Sequence, residues 1–207
     1  MPDYGPYLER IIQALQQRPG GPPQWIIALV ATLFGGVCAI SAQLLRAKYD
    51  ERRKRTLLVT MMHQELRKNF VTIYQFCPPE AAVIDPRFIE FSNEALGFFG
   101  LEALHKNPEI YLTRPEHWVA DMLYFAFRRI GPCKPEELRD HINNVLFLYA
   151  VNLLKHEPFC SSARTALGKA ELDEVIPKAQ AVFERIPIPP VMWAAMQQAP
   201  AVKEFFI

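Results

Sequence analysis

The chain has no Cys-x-x-Cys pair, so the spacings of zinc ribbons and thioredoxin-like redox sites are missing. Its four cysteines, Cys38, Cys77, Cys133 and Cys160, read as free thiols in a reducing compartment. It has no G-x-S-x-G elbow, no G-x-x-x-x-G-K-[ST] loop and no G-x-G-x-x-G run. The usual signatures of serine hydrolases, phosphate-cradling loops and dinucleotide sites are therefore absent. The two Glu-x-x-His pairs that a ferritin-like di-iron bundle needs are also missing. Residues 56–207 carry fifteen basic and eighteen acidic side chains, a balance of −3 with no basic stripe. That opposes nucleic-acid binding. From these absences the expectation is a chain without catalytic, cofactor or metal sites.

The most informative absence is of charge. The stretch WIIALVATLFGGVCAISAQLL, residues 25–45, has twenty-one residues and no ionisable acid or base. As an α-helix it would rise roughly 31 Å at 1.5 Å per residue, close to the roughly 30 Å hydrocarbon core of a bilayer. Trp25 and Tyr49 bracket it as interfacial aromatics do. Two other readings compete. A buried core helix seldom runs this long without charge. A cleaved export signal has a shorter apolar region, roughly 7–15 residues, behind a short basic start. Here the run is longer, starts late, and is succeeded by a basic cluster. It also contains no histidine to hold a haem-like cofactor.

The flank after the apolar run is strongly basic. Arg46, Lys48, Arg52, Arg53, Lys54 and Arg55 crowd ten positions, offset by Asp50 and Glu51 to a net of +4. The tail before the apolar run balances Arg10 and Arg18 against Asp3 and Glu9. The positive-inside rule puts the 46–55 flank in the cytoplasm, with its basic side chains against anionic headgroups. The expected organisation is a short non-cytosolic tail (1–24), a transmembrane helix (25–45), a basic juxtamembrane segment (46–55) and a cytosolic α-helical domain (56–207).

That domain reads as a bundle. Leu58, Met62, Leu66, Phe70 and Ile73 recur at three- and four-residue steps, a helical stripe. Between Leu29 and Tyr74 the only glycines or prolines are Gly35 and Gly36, so one helix can run from the apolar segment to Pro78-Pro79. A second is expected from Asp85-Pro86 to about Leu96. A third opens at Thr113 with Glu116 in capping-box spacing and ends at Gly131-Pro132. A fourth begins at Pro135 and carries INNVLFLYAVNLL, apolar almost all round, as the central core helix. It is expected to place Cys133 and Cys160 at its opposite ends. A fifth covers roughly 169–186, kinked or split by Pro177, and VMWAAMQQ forms a sixth.

Few residues stand out as chemistry. His117 with Asp121, and Glu137 with His141, are four apart and share helix faces. Pairs of this kind are read as solvated surface partners. Cys77 lies about four helical turns beyond His63, too far for a thiol–imidazole couple within that helix. Ser161 and Ser162 read as caps at a helix start. Asn143, Asn144 and Asn152 read as a buried polar layer that fixes helix register.

Interaction features are clearer. Ala31, Gly35 and Ala39, with Gly36 alongside, give the apolar helix a small-residue face that admits another helix backbone. Phe205, Phe206 and Ile207 close the chain as a candidate partner contact. The function these features suggest is a non-enzymatic accessory or scaffolding subunit of a membrane complex. Its partners would be the bilayer and other transmembrane helices, from like or unlike chains. One alternative is a signal relay through a continuous 25–76 helix; another is a membrane-tethered enzyme with an unrecognised site.

The charge asymmetry makes a topological prediction. A reporter fused after Ile207 should report from the cytoplasm. Replacing Arg52, Arg53, Lys54 and Arg55 by Gln should give mixed orientations, scored by protease protection. A fusion that is glycosylated or periplasmic would reverse the assignment.

Overall fold

The computed structural model describes residues 5–16, 23–79, 84, 87–88, 96–107 and 115–188. Among these the regular structure is entirely α-helical. The helices are α1 (Gly5–Gln16), α2 (Gln24–Phe76), α3 (Phe99–His105), α4 (Pro115–Arg128), α5 (Pro135–Lys155), α6 (Glu157–Ala166) and α7 (Lys169–Arg185). The chain divides into two units, Met1–Arg52 and Arg53–Ile207.

The first unit holds α1 and the N-terminal part of α2. Helix α2 is long and apolar enough to cross a membrane, and none of its most apolar window is buried by the rest of the protein. Leu33, Val37, Ile40 and Leu44 are all exposed. In water, leaving so much aliphatic surface uncovered would cost about 25 cal/mol per Å². The hydroxyl of Thr32 donates to the Ala28 carbonyl at 2.8 Å, so it brings no unsatisfied donor into this apolar surface.

The second unit holds the core. Leu58, Met62, Leu66, Phe70 and Ile73, the stripe read from spacing, are all buried. α5 is the element most thoroughly enclosed: Ile142, Val145, Leu146, Phe147, Tyr149 and Ala150 are all buried. Its aromatics face two ways. Tyr149 stacks on Phe70 of α2 with centroids 4.5 Å apart and meets the edge of Phe159 of α6 at 6.3 Å. Phe147 stacks on Phe183 of α7 at 5.8 Å. Such pairs add about 0.5–1.5 kcal/mol beyond the area they bury.

The structure corrects the expected end of the fourth helix. α5 stops at Lys155, and His156 turns into an extended conformation before α6 begins at Glu157. The cause is Pro158, which lacks the N–H that would continue the helix but fits the first turn of a new one. Cys133 and Cys160 are therefore not the two ends of one helix. Ser161 and Ser162 lie within α6 rather than at its start, so neither is its cap. α7, in contrast, is not split at Pro177. Val175, Ala179 and Val182 are buried on both sides of the proline, and their packing outweighs one missing backbone hydrogen bond. Of the expected helix between Asp85 and Leu96 only Arg87, Phe88 and Leu96 are described, Arg87 and Phe88 as helical and Phe88 and Leu96 as buried; the Thr113 cap and VMWAAMQQ lie outside the described residues.

Because Leu146 is fully buried, Leu146→Ala should cost about 2–5 kcal/mol. The measurement is the urea midpoint of the chain in mild detergent, with the circular-dichroism spectrum remaining helical. An unchanged midpoint would mean that α5 is peripheral.

Candidate functional site

Four polar side chains gather on one stretch of α2, residues 63–69: His63 and Asn69 are buried, Glu65 and Arg67 half-buried. Glu65 is the centre. Its carboxylate accepts the backbone N–H of Phe99 at 2.8 Å and of Gly100 at 2.7 Å, at the start of α3. It also accepts the Tyr124 hydroxyl, from α4, at 2.6 Å. One turn along, Asn69 makes a closed amide pair with Gly97: its Nδ2 donates to the Gly97 carbonyl and its Oδ1 accepts the Gly97 N–H, each at 2.9 Å. The approach is so close that a Cβ at Gly97 would sit 2.7 Å from Oε1 of Glu65. At Gly100 it would sit 2.8 Å from both Oε2 of Glu65 and the Tyr124 hydroxyl. A side chain at either position would push the Glu65 carboxylate off its present hydrogen bonds. Burial, then the hydrogen bond and charge of Glu65, push the Tyr124 phenol far above its ordinary range, so it stays protonated and donates.

Two further groups complete the cluster. His63 is buried against the edge of Phe159 (centroids 4.8 Å apart), and its Nε2 shares a 2.9 Å hydrogen bond with the Ser162 hydroxyl. Arg67 pairs with Glu174 at 2.5 Å and Glu171 at 3.3 Å, both on α7. A shallow cavity of about 550 Å³ opens beside this polar stretch, lined by Glu65, Arg67, Lys68, Phe99 and Glu171 among others. Its carboxylates are already committed to backbone amides or arginine. The chemistry of the cluster is that of a clamp: one helix holds α3, α4, α6 and α7 by four different polar side chains.

His63 and Ser162 have the hydrogen bond of a base and a nucleophile. Their electrostatics are wrong for that task. Burial first, and the neighbouring His117 second, pull the imidazole down to about 3. A base this weak takes no proton from a hydroxyl near pH 7.

The residues read as interaction features divide by position. Ala31, Gly35, Gly36 and Ala39 lie in α2 and are exposed, with nothing within 4 Å of a Cβ placed at either glycine. Arg46, Lys48, Arg52, Arg53 and Lys54 are exposed on α2, and Arg55 is half-buried. Phe205, Phe206 and Ile207 lie outside the described residues.

The histidine pairs are corrected. His117 is fully buried rather than a surface partner of Asp121. Asp121 instead meets His105 across from α3, at 3.2 Å. His141 turns inward, with Nε2 3.0 Å from the Ala126 carbonyl. A single Glu-x-x-His spacing does exist, Glu102 to His105. Its carboxylate faces Arg128 at 3.9 Å, while His105 meets Asp121. Among the described residues no group of three or more potential metal ligands is gathered. Asn152 is buried and donates to the Leu148 carbonyl of its own helix at 2.8 Å, while Asn143 and Asn144 are half-buried.

No family model, curated protein or solved structure matches this chain.

The buried imidazole gives a pH prediction. In the unfolded chain His63 titrates near 6.5, whereas in the fold it stays neutral down to about 3. Below pH 6.5 the unfolded state thus binds the extra proton, and stability falls with pH by up to about 1.4 kcal/mol per unit. His63→Gln, which keeps a hydrogen-bonding group for Ser162, should remove up to about 2 kcal/mol of the loss between pH 6.5 and 5. Urea midpoints at the two pH values measure it. An equal loss in both proteins would assign the effect to other groups.

Proposed function

We propose that this chain is a single-pass membrane protein that serves as an accessory or scaffolding subunit and carries out no catalysis of its own. The observation that carries the proposal is the uncovered apolar surface of α2, an apolar helix with none of its most apolar window buried by the rest of the protein. In this reading residues 25–45 cross the bilayer, the tail 1–24 faces away from the cytoplasm, and the helical domain 56–207 is cytosolic. Arg46, Lys48, Arg52, Arg53, Lys54 and Arg55 lie against anionic headgroups. The face formed by Ala31, Gly35, Gly36 and Ala39 receives a helix of the same or another membrane protein. The polar groups of the second unit support the non-enzymatic reading, because Glu65, Asn69, Arg67 and His63 are each spent on holding another segment.

A second reading, a signal relay, draws on one observation. α2 is a single uninterrupted helix from Gln24 to Phe76. Residues that would cross the membrane and residues that build the core share one backbone hydrogen-bond ladder. A relay requires two states of the core that differ in how α2 packs.

The test is steric. Gly35→Leu with Gly36→Leu should separate the chain from its complex, since branched side chains hold helix backbones apart in lipid. Insertion should persist, because Leu is more favourable than Gly in hydrocarbon. Native purification in mild detergent, with Leu29→Ile as control, reads the outcome. Equal recovery of the same partners by both would reduce this helix to an anchor.

A further inference from the structure

Every described side chain of α1 is exposed. The helix has 12 residues, a length at which an isolated helix is marginal in water, since most helical stability comes from packing an apolar side. Its residues are sorted by side. At about 100° per residue, Ala14, Tyr7, Ile11 and Ile12 fall within an arc of about 160°, and Glu9, Gln13 and Arg10 share the remainder. Tyr7 is 67 % exposed, Ile11 56 % and Ile12 40 %.

The chain itself points to what lies against the apolar side. α1 ends at Gln16 and α2 begins at Gln24, so only residues 17–23 join them. Fully extended, that connection spans at most about 29 Å. α2 is the helix whose most apolar window is left uncovered by the protein. Where α2 enters a bilayer, α1 is therefore held within that distance of the surface. Trp25, 66 % exposed at the head of α2, marks the interfacial level there.

The shape and charge of α1 suit the same surface. The seam between two paired helices is a narrow stripe, whereas an arc this wide fits a flat medium that immerses half of a helix. On the polar side Glu9 and Arg10 cancel and Gln13 is neutral. Helices that seek anionic lipid carry several Lys and Arg there, and α1 does not. It matches zwitterionic headgroups. The basic flank 46–55, at the other end of the apolar run, matches the anionic cytoplasmic leaflet. The two segments beside the apolar run thus differ in charge as the two leaflets of a cell membrane do.

Resting on the reading of residues 25–45 as membrane-spanning, we propose that α1 is an interfacial helix that lies along the leaflet where α2 begins. Tyr7, Ile11 and Ile12 sink about 5–10 Å into the boundary between headgroups and acyl chains, and Glu9, Arg10 and Gln13 stay in water.

The test uses the full chain reconstituted in phosphatidylcholine vesicles, with Cys38→Ala and Cys133→Ser so that only the buried Cys77 and Cys160 remain. Tyr7→Cys, Glu9→Cys, Ile11→Cys, Ile12→Cys and Gln13→Cys each carry a nitroxide in turn. Oxygen concentrates in lipid and a nickel chelate stays in water, so their collision rates with the label locate each position. Oxygen should dominate at 7, 11 and 12, and nickel at 9 and 13. Adding Tyr7→Asn and Ile12→Asn to the Ile11→Cys chain should shift position 11 from oxygen to nickel. Leu33→Cys, in the apolar run, should report lipid in every preparation.

Three results would overturn the proposal. Nickel dominating at all five α1 positions while Leu33→Cys reports lipid would leave α1 in water and the membrane-spanning reading intact. Spin–spin broadening at Ile11→Cys that disappears on dilution with unlabelled chain would give the apolar side to a second copy. Nickel access at Leu33→Cys would remove the membrane-spanning reading, and the interfacial helix with it.

Discussion

The second unit depends on one carboxylate. Glu65 accepts two backbone amides at the start of α3 and the phenol of α4. A charged acceptor in such a setting contributes about 1.5–3 kcal/mol per hydrogen bond, more than a neutral one. Its removal would leave the Tyr124 hydroxyl and the Gly100 N–H without their acceptor, at about 1–3 kcal/mol each. Asn69 continues the same function one turn further on, pairing with both polar groups of the Gly97 peptide. The aromatic and aliphatic core supplies most of the driving force, but it is indifferent to small sliding motions. Hydrogen bonds of fixed length and direction are not, and those to α2 select one arrangement of α3, α4, α6 and α7.

Much of this architecture is legible in the residue pattern alone. Helical periodicity places Leu58, Met62, Leu66, Phe70 and Ile73 on one buried stripe because burial of aliphatic side chains at three- and four-residue steps is what makes such a helix stable. Pro135, with Glu136 and Glu137 behind it, marks the start of α5. Local signals mislead where two of them compete. Pro158 ends one helix and opens the next, with no glycine beside it to mark the break. Pro177 suggests a break that tertiary packing overrides.

The polar cluster is not legible in this way, and the reason is separation in sequence. Glu65 and Gly100 are 35 residues apart, and His63 and Ser162 are 99 apart. Nothing in the spacing of either pair announces the contact. The nearest hint is a glutamate and an asparagine four apart on a helix whose face is otherwise core, where an unpartnered carboxylate would be expensive. An exposed apolar stripe on α4 is legible in principle. Its Trp118, Met122 and Phe125 recur at helical steps alongside a second apolar stripe on the opposite face.

The contacts at Gly97 and Gly100 also bear on descent. A methyl group at either position meets the carboxylate of Glu65, and shortening Glu65 strips two backbone amides of their acceptor. A change at any one of the three positions disturbs the hydrogen bonds made at the others. Related chains should therefore keep a Glu-x-x-x-Asn step on the first core helix together with a Gly-x-x-Gly step at the entry to the next. They should vary freely at the aliphatic positions around them, where one branched side chain can replace another. Distant kin of this protein are to be sought through that pair of short, widely separated signatures rather than through overall resemblance, which hydrophobic drift erases first.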